Sequence, residues 1–496
     1  MHLSSLVEMI ESGFEDRELL GTVDRRVTGG EFGRLVRRGA AAIAGNGEAV
    51  VYVGENHALL PVALLAAAWA GVPFVPVNYR LEDHHLNALV ARQPNAVVLA
   101  DPHAASRLDA PNVHVLDEWL AALPADPSAV DPPVDDDEVA VVLHTSGTTS
   151  EPKSALLRHR HLMAYLLGAV EFGGAGEDEA VLVSVPPYHV AGVANMLSNL
   201  FAGRRLVYLR SFDAATWLAT AREERVSHAM VVPTMLARIV DELGGGGAGL
   251  STLRSLSYGG AKVSERVLLS ALAAFPDTGF VNAYGLTETA STIAVLGPDD
   301  HRDAISSQDP VVRRRLSSAG RVLPMVEVEI RDEFEDPVPA GTVGMIFLRG
   351  EQISGEYATG SLLDDDGWFC TRDRGSLDVD GYLFIEGRSD DTIIRGGENI
   401  APAEIEEVLL AHPDVAEACV VGVPDDEWGQ RIIAAVVLRD GVTVGEQELQ
   451  EAVRRELRGS KTPDSVLFRE SLPHTETGKL LRRVVLQQVL QHGSAG

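Results

Sequence analysis

From about residue 34 to 144, short apolar runs alternate with amphipathic stretches. Val50–Val53, Val72–Val77, Ala96–Leu99 and Val139–Leu143 read as strands, and Arg34–Ile43, Leu59–Trp69 and His84–Arg92 as helices. The alternation resumes after residue 160, with strands expected at Val181–Val185, Arg205–Leu209, His228–Val232 and Leu253–Tyr258. Repeated βα units predict an α/β fold, with parallel sheet and helices on both faces. The period then changes. Glu327–Arg331, Val343–Arg349 and Tyr382–Glu386 are strand-like pieces between Gly and Asp turns, so a β-rich section is expected from about 320 to 387. A new small unit starts after about 390: helix Pro402–Ala411, strands Ala416–Gly422 and Arg431–Leu438, helix Glu446–Leu457. Gly244–Gly249 reads as a surface loop and Asp131–Glu138 as an acidic linker.

The uncharged stretch Ala58–Val77 has about the length of a membrane span. Pro61, Gly71, Pro73 and Pro76 interrupt it, which favours a buried helix, a turn and a buried strand. At 496 residues, two or more domains are expected. A net charge of −30 argues against nucleic acid or an anionic membrane as partner. Any site for an anionic nucleotide must then be local, made of backbone N–H groups, a few cations or Mg²⁺. The two cysteines, Cys370 and Cys419, make neither a disulfide framework nor a four-thiolate metal site, and fit a reducing cytoplasm. Met1–Glu15 carries Glu8, Glu11 and Glu15 and no basic region, unlike a signal peptide. Among 42 basic residues the lysines are Lys153, Lys262, Lys461 and Lys479. A compact ammonium on a flexible stem is not always replaceable by guanidinium, although base-composition bias would leave chance survivors too.

Five segments carry chemistry. The first, His144-Thr145-Ser146-Gly147-Thr148-Thr149-Ser150-Glu151-Pro152-Lys153-Ser154, follows an apolar strand. Hydroxyls, a glycine and successive N–H groups at a strand end make an anion-binding concavity, which a lysine closes. It differs from a Walker A loop, because Pro152 stands at the second glycine position and lacks an N–H. The second is Tyr284-Gly285-Leu286-Thr287-Glu288: an aromatic for a base, a hydroxyl and a carboxylate for Mg²⁺ and phosphate. The third is Asp366–Asp373, the fourth Gly387–Glu406 and the fifth Pro473-His474-Thr475-Glu476-Thr477-Gly478-Lys479.

In this order and spacing the five segments resemble the adenylate-forming superfamily of acyl- and aryl-CoA ligases, peptide-synthetase adenylation domains and firefly luciferase. The resemblance runs from about residue 30 to 485 and is specific in combination rather than in any single motif. It implies a large N-terminal part, residues 1–389, with two parallel-sheet βα subdomains and a β-barrel-like subdomain. A small mobile α+β C-terminal domain, residues 390–496, would hinge at Asp390. The implied reaction is attack of a carboxylate on the α-phosphorus of ATP with loss of pyrophosphate, then transfer of the acyl group to the thiol of CoA. Both partners of the first step are anionic, so neutralisation and alignment are the main tasks. By resemblance, Thr145, Ser146, Gly147, Thr148, Thr149 and Lys153 cradle the β- and γ-phosphates. Thr287 and Glu288 handle the α-phosphate, with Glu288 on Mg²⁺. Tyr284 and Gly285, with Gly259, Gly260 and Ala261, line the adenine site. Asp373 grips the ribose, helped by Arg388, and Lys479 bridges the carboxylate and the ribose–phosphate oxygens.

Four positions depart from the pattern: Ser150 and Ser154 where glycines are usual, Arg372 where Thr-Gly-Asp is usual, and Gly344-Met345-Ile346 without its glutamate. His189, in Pro187-Tyr188-His189-Val190-Ala191-Gly192, matches the H-x-x-G gate of the acyl pocket, or is a core histidine. No aspartate is offered there for an α-ammonium. The other pocket candidates Ala194, Asn195, Val232, Pro233, Thr234, Tyr258 and Gly285 suit a small aryl or short-to-medium acyl acid. Gly396 and Gly397 resemble the loop bordering a pantetheine tunnel, and Trp428 either packs on CoA or belongs to the core. Alternatives stay open: an acyl carrier protein as thiol, or nitrite as the adenylated oxyanion for N–N bond formation. From other classes come a P-loop switch NTPase and a non-catalytic nucleotide-binding relative.

Overall fold

The computed structural model describes residues 1–22, 25–125, 130–145, 152–396, 398–425, 428–457, 459–475 and 480–493. Among these, two large sheets sandwich a layer of helices. The eight-stranded sheet has a parallel centre of Phe74–Val77, Ala49–Val53, Ala96–Ala100 and Val113–Val115, with Val139–Thr145 parallel to Phe74–Val77. The thirteen-stranded sheet has a parallel centre of Arg205–Tyr208, Ala180–Val183, His228–Val231, Ser255–Gly259 and Gly279–Leu286.

The continuous apolar strands have a simple cause: each face of each sheet is covered. Val50 and Tyr52 point into the central core, while Ala49, Val51 and Val53 point to helix Asp83–Val90 on the outer face. Helices Gly29–Ile43, Leu60–Ala70, His159–Ala169 and Val190–Ala202 fill the centre between the sheets. Helix Leu60–Ala70 is buried from Leu60 through Trp69, which explains why its sequence is apolar all round. Gly71, at φ 73°, ends it in a left-handed cap. Among the described residues no helix is long and apolar enough to cross a membrane.

The β-rich section extends the thirteen-stranded sheet by antiparallel pairing. Ser291–Leu296, Gly320–Val322, Tyr382–Arg388, Phe369–Leu377, Gly344–Arg349 and Glu327–Arg331 follow one another and share their own apolar cluster. A small α+β domain then follows the 3₁₀ turn Ser389–Asp391. Its hairpin Ile393–Arg395/Glu398–Ile400 precedes a three-stranded sheet of Val415–Asp425, Gly429–Leu438 and Ser465–Phe468. Helices Pro402–Ala411 and Glu446–Glu456 cover one face and Arg482–Gly493 the other. Two features complete the fold. The strand Val139–Thr145 turns back into an antiparallel strand, Lys153–Arg158, rather than a helix, so the first motif is not the strand-to-helix loop of a P-loop NTPase. The N-terminal segment, silent in the sequence reading, forms helix Ser5–Gly13 and strands Glu18–Thr22 and Arg25–Thr28 on the sheet edge.

Candidate active site

Two of the five motifs, and the Gly259-Gly260-Ala261 segment, lie at the carboxyl ends of parallel strands, where open α/β sheets bind ligands. Thr145 ends Val139–Thr145, Gly259 ends Ser255–Gly259, and Thr287 follows Gly279–Leu286. Glycines are demanded by close backbone approach. A Cβ on Gly259 would sit 2.3 Å from the Ala283 carbonyl oxygen, and one on Gly285 would sit 1.8 Å from that of Ser291. Gly260 adopts φ 86°, which glycine alone takes readily. The loop after Glu288 is strained: Ala290 and Ser291 have φ of 52° and 117°. The buried Thr289 hydroxyl holds it, donating to the Ser291 carbonyl at 2.6 Å and accepting from the Leu286 N–H at 3.0 Å.

The motifs meet through side chains. Tyr284 donates its hydroxyl to Asp373 at 2.5 Å, and Arg388 pairs with the other Asp373 oxygen at 3.2 Å. Asp373 is only 6% exposed, and its N–H bonds the Thr371 hydroxyl. Burial and then the Asp373 charge push the Tyr284 phenol well above its ordinary value, so it stays a donor. Burial lowers the Arg388 guanidinium, but Asp373, Glu288, Tyr284 and Asp390 outweigh it and the net shift is upward. Arg388 is thus the shared cation of the second, third and fourth motifs.

Tyr357 completes the cluster and was missed in the sequence reading. Its hydroxyl donates to the Glu288 carboxylate and lies within hydrogen-bonding reach of Thr145, and its ring stands 5.8 Å beneath the Lys153 ammonium. The Glu288 carbonyl accepts from the Ser354 and Gly355 N–H groups at 2.8 and 2.9 Å. Thr287 and Glu288 are half-buried. Ser154 has a use of its own: its hydroxyl bonds the His144 ring at 3.1 Å across the hairpin. Ser146, Gly147, Thr148, Thr149, Gly397 and Lys479 lie outside the described residues.

A cleft of about 1130 Å³ separates the large domain from the small one. Pro233, Thr234 and Ala261 line it from one side, and Glu407, Thr475 and Leu480 from the other. Arg80, Arg210, Arg238, Arg266 and Arg439 also reach it, interleaved with the carboxylates Asp241, Glu265, Asp391, Glu406 and Glu417, so the lining is mixed in charge. His189 stands at the N-cap position of helix Val190–Ala202, its ring tilted at 52° to that of Tyr188 with 4.6 Å between centroids. Burial, then Arg80, pushes its pKa down to about 4, so its imidazole is neutral near pH 7. The H-x-x-G spacing has a packing origin, since a Cβ on Gly192 would meet the Pro186 carbonyl at 2.4 Å. Of the other pocket candidates, Ala194 and Val232 are buried, Tyr258 bonds His301 at 2.9 Å, and Asn195 accepts from Asn199 at 2.8 Å.

On the small domain, Gly396 at φ 57° donates its N–H to the Trp428 carbonyl at 2.8 Å, and the indole lies over its Cα. Trp428 is 46% exposed and therefore not a core residue. Arg372 is exposed at φ 61°, a left-handed conformation inside the irregular strand Phe369–Leu377, which is why glycine suits that position.

For Mg²⁺ the donor set fits. One carboxylate, Glu288, beside a threonine hydroxyl is what an ion held mainly by phosphate and water requires, in contrast to an all-protein cage.

A nucleotide-sized cleft at strand ends, closed by a small α+β domain, defines the adenylate-forming class. Residues 11–358 match the AMP-binding enzyme family, and residues 404–479 match the AMP-binding enzyme C-terminal domain. The chain is 32% identical over 492 residues to the indoleacetate–CoA ligase of Aromatoleum aromaticum, covering 94% of each. It is 34% identical over 465 residues to a feruloyl-CoA synthase of Amycolatopsis, covering 90% of each. ATP-bound MatB from Rhodopseudomonas palustris superposes with a TM-score of 0.84 at 26% identity, over 98% of this chain and 99% of that one. The chain belongs to the AMP-binding enzyme family.

Proposed function

We propose that this protein is an AMP-forming acid–thiol ligase that activates a small carboxylic acid with ATP and passes the acyl group to CoA. The observation that carries the reading is the contact chain Tyr284–Asp373–Arg388 and Glu288–Tyr357–Lys153, which joins segments spread over some 240 residues into one cluster of anion- and ribose-binding groups. In the first step a substrate carboxylate oxygen bonds to the α-phosphorus, and the bond to the departing pyrophosphate breaks. In the second the CoA thiol sulfur bonds to the acyl carbon, AMP leaves and the thiol proton is released.

Asp373, already aligned by Tyr284 and Arg388, takes the ribose hydroxyls. Thr145 and Lys153, with Ser146, Gly147, Thr148 and Thr149, take the outer phosphates. Gly259, Gly260, Ala261, Tyr284 and Gly285 hold adenine, the glycines letting backbone approach the ring. Thr287 faces the α-phosphate, and Glu288 holds Mg²⁺, which supplies neutralisation of phosphate charge. Lys479 neutralises the attacking carboxylate. His189, as a neutral imidazole, borders the acyl pocket. Gly396, Gly397 and Trp428 border the thiol's path, and the domains divide at Asp390, with residues 1–389 and 390–496 on either side.

An aryl acid is the favoured substrate class, as both curated relatives above are named for aromatic acids and CoA. The cysteine content, with Cys419 buried and its thiol pushed up to about 12 by burial, suits a reducing cytoplasm. The test is a pyrophosphate-release screen over aryl, fatty and small acids and nitrite, with mass detection of AMP adducts and thioesters. Acid-dependent release with a CoA thioester is expected. Release with nitrite alone, or none with any acid, overturns the reading.

A further inference from the structure

The chain uses arginine wherever it can, so the four lysines are worth placing. Lys153 is in the phosphate hairpin and Lys461 pairs with Glu404 inside the small domain. Lys262 lies just beyond Gly259-Gly260-Ala261 on the large domain. Its ammonium is 2.7 Å from Glu407 Oε2, on helix Pro402–Ala411 of the small domain. Among the described residues this is the one ion pair that joins residues before 390 to residues after it. Elsewhere along the seam like charges meet, although Lys461 of the small domain also attracts Glu386. Glu386 of the large domain faces Glu404 of the small one, and its carboxyl is pushed up, by burial first and then by Glu404. Arg266 of the large domain lies within electrostatic range of Arg439 of the small one. Both residues line the same cleft.

We propose that Lys262 is a positioning residue for the first half-reaction: through its ion pair with Glu407 it holds the small domain in the arrangement seen here, and the pair opens when the domain swings to the thiol-transfer arrangement. In the present arrangement Thr475 and Leu480, which flank the Lys479 segment, line the cleft. The proposal rests on the ligase reading and on its two arrangements of one small domain. Both side chains are about half exposed, at 47% and 48%. An exposed pair of this kind biases an equilibrium by a factor of up to ~5. That strength suits a domain that must be held for one step and released for the next. A buried pair would trap it. Lysine suits the position, since a flexible stem with a point charge re-hydrates readily on release.

The test uses the full chain and separates the half-reactions: adenylate formation by pyrophosphate exchange, and thioester formation from supplied acyl-adenylate and CoA. Lys262→Glu should slow the first by about 5–10-fold, and Lys262→Met by about 2–5-fold, from loss or reversal of one exposed pair. The second should hold or rise. The charge swap Lys262→Glu with Glu407→Lys should restore adenylate formation to within about 2-fold of the native chain. Equal loss in both half-reactions, or no rescue by the swap, overturns the proposal, because a lysine touching nucleotide directly would not be rescued from Glu407. A readout independent of catalysis is the distance distribution between spin labels at Val379→Cys and Phe468→Cys, in a Cys370→Ser background. Lys262→Glu should deplete the native separation and the swap should recover it. Identical distributions in all three chains overturn the proposal even if the ligase reading fails.

Discussion

The two walls of the cleft are built by opposite means. On the large-domain wall Asp373 and Glu288 are each fixed twice. Asp373 takes Tyr284 and Arg388 on separate oxygens, Glu288 is held through its backbone carbonyl and by Tyr357, and glycines admit backbone where no Cβ would fit. The small-domain wall has a well-packed interior of its own, and among the described residues one half-exposed ion pair joins it to the other wall. Binding groups that must not move are pre-organised on buried strand ends. On the reading proposed above, the groups that serve two successive steps sit on a separate small domain.

The comparison breaks first if the small domain is not the moving part. Lys479→Ala should lower adenylate formation about 10³-fold, the scale of losing one charge at the transition state, while thioester formation from supplied acyl-adenylate stays within about 5-fold. Equal losses would remove Lys479 from the first step. Asp390→Pro should leave adenylate formation within about 10-fold but lower thiol transfer about 10²-fold, by fixing φ at the proposed hinge. Residue 390 lies in the 3₁₀ turn Ser389–Asp391, outside the α-helices and sheet ladders on either side. A variant intact in both steps would argue for a single arrangement.

The next two predictions sharpen the large-domain side. His144, His161 and His189 are pushed down to about 4 and His159 to about 3, by burial before any charge effect. All four belong to the large domain, and an unfolded histidine titrates near 6.5. Between these values the unfolded chain binds protons that the folded chain refuses. Stability is therefore full above about pH 6.5 and falls as pH drops toward 4. Urea midpoints should fall between pH 7 and 5 by an amount worth roughly 2 kcal/mol for each of these rings, with the large-domain signal lost first. A flat profile would mean that these rings are not buried as neutral groups. The smallest effect is expected for Arg372→Gly, which relieves a left-handed arginine and should stabilise the large domain by about 0.5–1 kcal/mol with unchanged turnover. A lower midpoint would show that the arginine side chain makes up for its backbone.

Sequence periodicity located the parallel strands and the small domain well, because strands covered on both faces have no choice but to be apolar, as at Val50–Val53. It was blind where pairing, not pattern, decides. Lys153–Arg158 has no run long enough to stand out, yet it is a full antiparallel strand because Val139–Thr145 lies beside it. Tyr357 belongs to a two-residue strand paired at Ala155, so its meeting with Glu288 and Lys153 depends on contacts some 70 and 200 residues away. Arg372 was visible as a misfit, but only its φ of 61° gives the reason. The N-terminal helix and strands are short edge pieces that borrow their burial from helix Gly29–Ile43 and strand Arg205–Tyr208.

Trp428 has a further use. The chain has five tryptophans, and Trp69, Trp119, Trp217 and Trp368 are all buried in the large domain. Trp428 alone is open to solvent, beside Gly396 on the small one. A dissolved quencher such as acrylamide therefore reaches one emitter in five, and that emitter rides on the small domain. The unmodified protein carries its own optical label, and the quenchable fraction of its fluorescence reads how much of that surface is covered as each substrate is added.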